Sequence, residues 1–304
     1  MINLRAAGLK VHKVIAMSPL ISKLYFYMLS VFVKPLPDGC FKKRLINSIM
    51  SIDWPPIDLP AQKIEIEKVA FCIFPHLGED DLESLLMREM TYEPSVFSFL
   101  NKSNNKYEAI IEIGANVGIY TVFFSKFYEH CQIYAFEPSR EAYSRLLRNI
   151  ELNGFSKNVH TFNTAVGEST GFITFYEPRG HLKNGSLLKD FASIFSPDVV
   201  EHKVLSVQGE LLAGLFEKHS SVLLKIDAEG SEASILKSLL PIIRFAKPDI
   251  LVECLGMFED EMNNLGLSEW YDLYQLTKNG AVLRSAFKSS EDRDYMLFPK
   301  KATS

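Results

Sequence analysis

The chain has 304 residues, of which 47% are hydrophobic and 23% are charged, a composition typical of folded rather than disordered proteins. Its net charge of -4 argues against a protein that coats nucleic acid. The four cysteines form no CxxC pair, so the sequence predicts neither a zinc site nor a disulfide framework, and reduced thiols in the cytosol are expected.

Residues 1–50 concentrate the positive charge of the chain. They hold eight Lys and Arg residues against one Asp, so this segment carries +7 and the remainder carries -11. Such asymmetry predicts an anionic neighbour for the basic segment. Within it, residues 24–33 are almost entirely apolar and are bounded by Lys23 and Lys34, a run too short to span a bilayer.

Two interpretations of this apolar run stay open. It is either a helix packed on the protein's own core or an interfacial anchor on anionic lipid, helped by the flanking cations. No secretory signal with a small-residue cleavage site is predicted. The expected location is therefore the cytoplasm, at the inner face of the membrane if the anchor forms. No nucleic-acid partner is predicted, and the oligomeric state stays open.

Prolines at positions 55, 56 and 60 break regular structure and indicate a linker. We therefore predict a basic, apolar and helical N-terminal extension over residues 1–60 and a second domain over residues 61–304. This second domain is expected to open with two helical pieces over residues 79–100, divided before Pro94.

From residue 109 onward, short apolar strands alternate with helices of ten to fifteen residues, which predicts βαβ units, a parallel sheet and an α/β fold. Residues 179–200 are rich in Gly, Asn, Ser and Pro and are expected to form a loop that helps to shape a pocket. The predicted strands are 109–113, 132–136, 159–162, 171–176, 204–207, 222–226, 249–253, 282–285 and 295–298, the last two as an antiparallel pair. The predicted helices are 117–127, 139–152, 210–218, 232–239 and 267–277.

Two motifs follow the first two strands of this pattern. Gly114 and Gly118 have the spacing G-x-x-x-G, which permits a tight turn into a helix start but differs from the dinucleotide motif G-x-G-x-x-G and so disfavours NAD. Glu137 and Pro138 follow the next strand, where an acid can accept hydrogen bonds from both ribose hydroxyls. Together the two motifs predict a nucleoside-binding site.

Two further motifs place acids at the ends of later strands. Lys225, Asp227 and Glu229 lie at or just beyond the strand over residues 222–226, at the sheet edge where α/β proteins bind ligands. The helix dipole alone would account for Glu232 but not for Asp227. Glu253, at the end of the strand over residues 249–253, is expected at the same edge. Paired acids there either hold a metal or orient a hydroxyl, or Glu253 only binds Lys225 or a backbone amide.

The four motifs together resemble the FkbM-type family of methyltransferases that use S-adenosylmethionine. The order and spacing match over about residues 90–255, including Tyr92-Glu93-Pro94 as a lead-in, and the resemblance does not reach residues 1–60. The resembling stretches are Ile-Ile-Glu-Ile-Gly-Ala-Asn-Val-Gly from residue 110, Ala-Phe-Glu-Pro from 135, Leu-Lys-Ile-Asp-Ala-Glu-Gly-Ser-Glu from 224 and Lys-Pro-Asp-Ile-Leu-Val-Glu from 247.

The resemblance implies a Rossmann-like class I methyltransferase fold, with seven strands, the last antiparallel, and helices on both faces. It also implies S-adenosylmethionine as the cofactor and assigns site residues. Asp227, Glu229 and Lys225 belong to the signature at the catalytic edge, with Asp227 as base or metal ligand. No metal ligand is otherwise assigned, and the need for a divalent metal stays open. The implied cofactor-binding residues are Glu112, Gly114, Ala115, Asn116 and Gly118 in the first loop, Glu137 and Pro138 near the ribose, Asn163 to Val166 (including Ala165) near the adenine, and Asp227.

Two departures from the family pattern stand out. Glu112 replaces the usual Asp of the first motif and keeps its charge, whereas Gln208-Gly209-Glu210 replaces the family's Thr-Leu-Asp. The expected function is O-methylation of a hydroxyl on a glycan, a lipid-linked sugar or a secondary metabolite. An N-methyltransferase on the same fold and a binding module without catalytic activity are the alternatives.

Overall fold

The computed structural model describes residues 18–37, 39–50, 52, 54–78, 92–103, 105–155, 157–288 and 290–301. Its first elements are α1 (Pro19–Val33), α2 (Cys40–Met50), β1 (Ile57–Asp58), β2 (Gln62–Ile66), β3 (Val69–Ile73), β4 (His76–Leu77) and α3 (Pro94–Lys102). Pro19 suits the first turn of α1 because its φ is fixed near the helical value. The second helical piece predicted before residue 100 is confirmed as α3, whereas residues 79–91 lie outside the described residues.

The N-terminal helices pack against the strands that follow them. Phe26 of α1 contacts the ring of Trp54 at a centroid distance of 5.6 Å, and both belong to a buried cluster that includes Leu59 and Leu77. Because residues on both sides of position 60 share this cluster, the boundary placed there stays a prediction. No helix in the described part of the chain combines the length and the apolar character needed to cross a bilayer.

The βαβ pattern then begins as the sequence predicts. Its elements are β5 (Ala109–Ile113), α4 (Ile119–Phe127), β6 (Gln132–Phe136), α5 (Arg140–Asn153) and β7 (Val159–Phe162). Both predicted ends of α5 are present. The Ser139 side chain accepts a hydrogen bond from the Ala142 amide, and Gly154 ends the helix at a φ of 73°.

A small second sheet follows, together with short helices. The elements are β8 (Ala165–Gly167), β9 (Gly171–Pro178), a 3-10 turn (Leu182–Asn184), α6 (Lys189–Phe195), β10 (Val199–Gln208), a second 3-10 turn (Gly209–Leu212) and α7 (Ala213–Glu217). β10 lies between β8 and β9. The segment 179–200, predicted to be a loop, is therefore partly helical.

The remaining elements complete the main sheet. They are β11 (Val222–Ile226), α8 (Glu232–Ala246), β12 (Asp249–Glu253), a 3-10 turn (Gly256–Phe258), α9 (Glu259–Asn264), a 3-10 turn (Leu267–Glu269), β13 (Tyr271–Thr277), β14 (Gly280–Arg284) and β15 (Asp294–Pro299). The strand order is β14-β13-β15-β12-β11-β5-β6-β7. Strands β7, β6, β5, β11 and β12 are parallel, and β15 is antiparallel to β12.

The expected class I fold is confirmed, with one strand more than predicted. Every residue of β5 and β11 is buried, because helices cover both faces of the sheet. Ile110 points to the face covered by α3, α4 and α5, whereas Ile111 points to the face covered by α7, α8 and α9. The extra edge strand is β14, which forms a hairpin with β13.

Two predictions near the end of the chain were wrong. The helix predicted over residues 267–277 is a 3-10 turn followed by β13, whose Tyr- and Thr-containing sequence suits a half-buried strand. The strands predicted at 282–285 and 295–298 do not pair with each other, because β13 lies between β14 and β15. The alternation of buried and partly buried residues in β13 has a period of two, which distinguishes it from a helix.

Candidate active site

A cavity of about 330 Å³ opens at the carboxyl ends of the parallel strands. Gly114, Glu137 and Asp227, which directly follow β5, β6 and β11, line it, as does Glu253 at the end of β12. Loops at this edge of an α/β sheet build the ligand crevice. The structure therefore brings the four sequence motifs together in one cavity.

Gly114 brings the first and third motifs into backbone contact. It adopts a φ of 83°, and a Cβ atom at this position would overlap the carbonyl oxygen of Asp227. The backbone amides of Gly114 and Ala115 both donate to the carbonyl oxygen of Phe136. The turn from β5 into α4 is thus fixed against β11 on one side and β6 on the other, and only glycine fits at its start.

Glu137 connects two turns of the cavity wall. Its Oε2 accepts a hydrogen bond from the Asn116 amide at 2.7 Å, and its Oε1 accepts one from the Ser139 amide at 2.7 Å. Burial raises the pKa of Glu137 to about 7, against the opposing effect of these two amides. Because each carboxylate oxygen has a second lone pair, Glu137 can accept further hydrogen bonds from a ligand while it holds both turns.

Lys225 lies behind the cavity wall and joins several buried groups. Its Nζ is 3.1 Å from Oδ2 of Asp227 and 4.2 Å from the centroid of the Tyr120 ring. Burial by itself lowers the pKa of Lys225, but Asp227, Glu112 and Glu93 together outweigh it and raise the pKa above its ordinary value. Lys225 is therefore charged at neutral pH, so its geometry suits a positioning partner for Asp227 rather than a base.

Glu112 belongs to the same buried network. Glu112 of β5 lies beside Lys225 of β11 in the register of the two parallel strands. Its Oε2 accepts a hydrogen bond from the Thr121 hydroxyl at 2.6 Å. Burial raises the pKa of Glu112 to about 7, and the charge of Lys225 opposes this rise. Glu112 is fully buried and does not line the cavity, so it supports Lys225 and contacts no ligand directly.

The turn after β11 carries Asp227 and Glu229 on the cavity wall. Glu229 has a φ of 49° and the following Gly230 has a φ of 94°, which turns the chain sharply into α8. Glu232 reaches back and accepts hydrogen bonds from the amides of Ala228 and Gly230 at 2.7 and 3.0 Å. Burial, followed by the charge of Asp227, raises the pKa of Glu229 to about 8, a value that suits proton transfer near neutrality.

More carboxyl groups line the cavity than the four motifs supply. Glu93 and Asp294 join Asp227, Glu229 and Glu253 on its wall. Burial, followed by neighbouring carboxylates, raises the pKa of Glu253 to about 10 and that of Asp294 to about 8. The wall therefore attracts a cationic ligand, and part of its carboxyl groups are protonated at neutral pH.

One group of these acids can hold a metal ion. Asp227, Glu232 and Glu253 have carboxylate oxygens within 4.8 Å of one another, and such oxygens suit Mg²⁺ or Ca²⁺. Each also has a protein partner: Lys225 at Asp227, the two backbone amides at Glu232, and Arg293 Nη1 at 3.7 Å from Glu253. A cation bound here would share its ligands with these groups.

Some residues after β7 line the cavity, and another holds the backbone of a neighbouring turn. Thr164, Ala165 and Val166 line the cavity, together with Pro138. Asn163 does not, because its Nδ2 donates to the carbonyl oxygens of Glu137, at 2.8 Å, and Pro138. Of the residues expected near an adenine, Ala165 is thus on the wall, whereas Asn163 fixes the backbone of the neighbouring turn.

Two of the cavity-lining residues have a buried side-chain oxygen that lacks a hydrogen-bond partner within the described residues. These oxygens are Oδ1 of Asn184 and Oγ of Ser231. Buried polar atoms are rarely left without a partner, so a ligand that supplies hydrogen-bond donors is expected here. In the segment 179–200, which was expected to help shape a pocket, Lys183 and Asn184 lie on the wall, whereas Arg179 pairs with Asp198 at the surface.

Two predicted residues of the glycine loop also lie off the cavity wall. Ala115 is buried in the core cluster. A Cβ atom at Gly118 would overlap the Leu146 side chain, so this glycine allows α4 and α5 to pack closely. Neither residue lines the cavity, whereas Gly114 and Asn116 do.

Glu93 and Asp294 are wall residues that the motifs did not identify as part of the site. Glu93 precedes α3 at a φ of 39° and accepts a hydrogen bond from the Tyr120 hydroxyl. Asp294 begins β15, and because β15 is antiparallel, its first residue lies at the carboxyl edge of the parallel strands. The position of Glu93 before Pro94 and the charged run Glu291-Asp292-Arg293-Asp294 before a strand were the available signals.

The chain is similar to proteins described as methyltransferases. "Methyltransferase sdnD" of Sordaria araneosa is 21% identical over 182 residues, which cover 52% of this chain and 70% of that protein. "Methyltransferase 1" of Beauveria bassiana (strain ARSEF 2860) is 23% identical over 152 residues, which cover 43% of this chain and 57% of that protein. A solved structure, methyltransferase FkbM from Methylobacillus flagellatus KT, has a TM-score of 0.39 and 15% identity, and the match covers 63% of this chain and 43% of that one.

A sequence model of the methyltransferase FkbM domain matches residues 112–283. This range contains the glycine loop, Glu137 and the turn that carries Asp227 and Glu229. Since it spans more than half of the 304 residues, the chain belongs to the FkbM methyltransferase family.

Proposed function

We propose that this methyltransferase uses S-adenosylmethionine to methylate a hydroxyl oxygen on a glycan, a lipid-linked sugar or a secondary metabolite. The observation that carries the proposal is that one cavity contains both Glu137, an acid suited to a ribose, and the carboxyl groups of Asp227 and Glu229. A nucleoside cofactor and a proton acceptor for an attacking hydroxyl can therefore meet within one site.

The cavity residues fit the cofactor. Glu137 would accept hydrogen bonds from its ribose, and Thr164, Ala165 and Val166 would lie beside its adenine. Gly114 leaves its part of the wall free of a side chain, and the unpartnered oxygens of Asn184 and Ser231 can accept from an amino group. When bound, the cofactor supplies an electrophilic methyl group on a positively charged sulfur, and the carboxyl-rich wall favours that charge.

The chain's own residues orient the acceptor and remove its proton. Most of the acceleration is expected from holding the attacking oxygen in line at a distance of about 3 Å. Asp227 is the proposed base, and Lys225 holds its carboxylate at the cavity wall through the contact of 3.1 Å. Glu229, with a pKa of about 8, is mostly protonated at neutral pH and can donate a hydrogen bond to a ligand in the same cavity.

Calorimetric titration with S-adenosylmethionine and S-adenosylhomocysteine tests the cofactor assignment. We expect micromolar binding, about -8 kcal/mol, and at least about tenfold weaker binding by Glu137→Ala, because the ribose loses its acceptor. Glu141→Ala, an exposed acid in the first turn of α5, is the matched control and should bind as the wild type does. No binding by folded wild-type protein would reject the proposed cofactor.

Asp227→Asn tests the proposed base. Asn keeps the size of the side chain but accepts no proton, so we expect cofactor binding to persist while methyl transfer falls by about 10²- to 10⁴-fold. Transfer of a radiolabelled methyl group into glycolipid and metabolite extracts is the readout. Asp249→Asn is the control, because Asp249 begins β12 and does not line the cavity. Full activity of Asp227→Asn would eliminate Asp227 as the base.

Methylation of an amine is the second candidate, and the crowded carboxyl groups of the wall favour it because they attract a protonated amine. The two candidates differ in their products. Mass spectrometry of the labelled product separates a methyl ether from a methylamine, and only the ether agrees with the leading proposal.

A further inference from the structure

Helix α1 has two apolar faces, and only one of them is covered by the described residues. Ser22, Phe26, Ser30 and Val33 are buried, and Phe26 and Val33 belong to the cluster that includes Ile46 and Ile49 of α2. The sequence left two roles open for this segment, a helix packed on the core or an anchor on lipid. The buried face of α1 agrees with the first role, a helix packed on the protein's own core.

The opposite face of α1 carries large apolar side chains that are exposed to solvent. Leu20 is 79% exposed and Phe32 is 70% exposed, and the other large apolar residues of this face are 51% to 68% exposed. The members of this face are Leu20, Ile21, Leu24, Met28, Val31 and Phe32, which recur three or four residues apart. Such spacing aligns them as one stripe. Phe41 of α2, which is 73% exposed, is a further exposed apolar side chain in this segment.

Cations accompany this stripe. Lys34 follows the end of α1, and Lys43 and Arg44 are exposed on α2. Residues 18–50 hold five Lys and Arg residues against one acid, Asp38. Since the whole chain has a net charge of -4, this concentration of positive charge beside an apolar stripe is local.

Length decides how such a helix can meet a membrane. The 15 residues of α1 extend about 22 Å, less than the roughly 30 Å of a bilayer's hydrocarbon core. A helix of this length with one face already packed on the protein can only lie in the plane of the interface, where apolar side chains insert and cations contact headgroups.

We propose that the exposed face of α1 docks on an anionic lipid surface, with Leu24, Val31 and Phe32 inserted and Lys43 and Arg44 against acidic headgroups. The positive charge favours lipid over two other occupants of this face, a second copy of the chain and residues 1–17. A second copy of the chain would bring like charges together. Residues 1–17 carry three cations and no acid, so they would not neutralise the positive charges of Lys34, Lys43 and Arg44. This docking is independent of which acceptor the enzyme methylates.

Co-sedimentation of the full chain with vesicles tests the proposal. We expect binding to vesicles of phosphatidylcholine with phosphatidylserine, and weaker binding as the salt concentration rises. The triple variant Leu24→Gln, Val31→Gln and Phe32→Gln should bind at least about tenfold more weakly than the wild type. Lys43→Glu with Arg44→Glu should lose the preference for phosphatidylserine.

A matched control changes equally exposed apolar residues elsewhere, Leu211→Gln, Phe172→Gln and Phe245→Gln, and should bind as the wild type does. Binding of S-adenosylmethionine by every variant shows that the fold is intact. Equal vesicle binding by the wild type and the α1 variant would overturn the proposal, as would equal binding with and without phosphatidylserine. A dimer dissociated by the α1 variant, or vesicle binding that appears only after residues 1–17 are deleted, would assign the face to another occupant and also overturn it.

Discussion

Gly114 brings the backbone of the glycine loop against the backbone of the turn that carries Asp227. Gly114→Ala would place a methyl group into the carbonyl oxygen of Asp227, which neither backbone can relieve without moving the strand ends. We expect a loss of more than about 3 kcal/mol of unfolding free energy together with lost cofactor binding. Urea unfolding and calorimetry measure the two effects.

Gly154→Ala supplies the comparison for this prediction. Gly154 also has a positive φ, 73°, but a Cβ atom there would meet no heavy atom within 4 Å. Its cost should therefore be limited to the conformational preference, about 1 kcal/mol. Similar losses in the two variants would show that the close approach to Asp227 is unimportant.

At the scale of elements, Gln275 of β13 fixes the segment between β14 and β15. Its Nε2 donates to the carbonyl oxygens of Lys288 and Asp292, at 3.1 and 2.8 Å, while its Oε1 accepts from Arg284 at 2.9 Å. This segment carries Glu291 and Arg293 to the cavity wall. One buried amide thus ties the end of the sheet to the candidate site.

Gln275→Leu should keep the packing but leave these carbonyl groups without their donor. We expect a loss of about 1–3 kcal/mol of unfolding free energy and faster hydrogen exchange over residues 285–293. Thr277→Val removes two exposed hydrogen bonds in the adjacent hairpin and should cost about 0.5 kcal/mol or less. Unchanged exchange in Gln275→Leu would contradict this role of Gln275.

The elements that the sequence predicted well are those with strong local signals. The strands over 109–113, 132–136, 222–226 and 249–253 agree with the structure residue for residue, because buried parallel strands are short apolar runs between turns. β13 was mistaken for a helix because Gln275, a polar residue at a buried position, interrupts the alternation of apolar and polar residues. Its identity depends on pairing with β14 and β15, which local sequence does not encode.

The site was predictable to the extent that its residues follow parallel strands. Asp227, Glu229 and Glu137 reach the cavity by that rule. Asp294 reaches it from an antiparallel strand, and the helical segment with Glu93 comes from outside the sheet. The roles of Asn163 and Gly118 as supports rather than wall depend on side-chain direction and helix packing, which spacing alone does not specify.

Across the whole molecule, the crowded carboxyl groups make folding take up protons. Burial, and after it mutual repulsion, raises the pKa of Glu229 and Asp294 to about 8 and that of Glu253 to about 10. In the unfolded chain such groups titrate near pH 4. Between these values the folded protein binds more protons than the unfolded chain, so the unfolding free energy falls as pH rises.

We therefore expect the protein to lose stability steadily from about pH 5 to about pH 9. Unfolding free energies from urea titrations across this range provide the measurement. Saturating S-adenosylmethionine should flatten the decline, because a bound positive charge favours the ionised carboxylates. Stability that instead rises from pH 6 to pH 9 would show that these carboxyl groups are ionised at ordinary pKa values.

The position of β15 also sets an order of events during synthesis. This strand lies between β12 and β13, and its first residue, Asp294, completes the cavity wall. Residues as far as Pro299 must therefore have left the ribosome before the site can close. Helices α1 and α2 emerge much earlier. If α1 docks on lipid as proposed, a nascent chain would therefore reach the lipid surface before its cavity is complete, and methyl transfer would begin only at that surface.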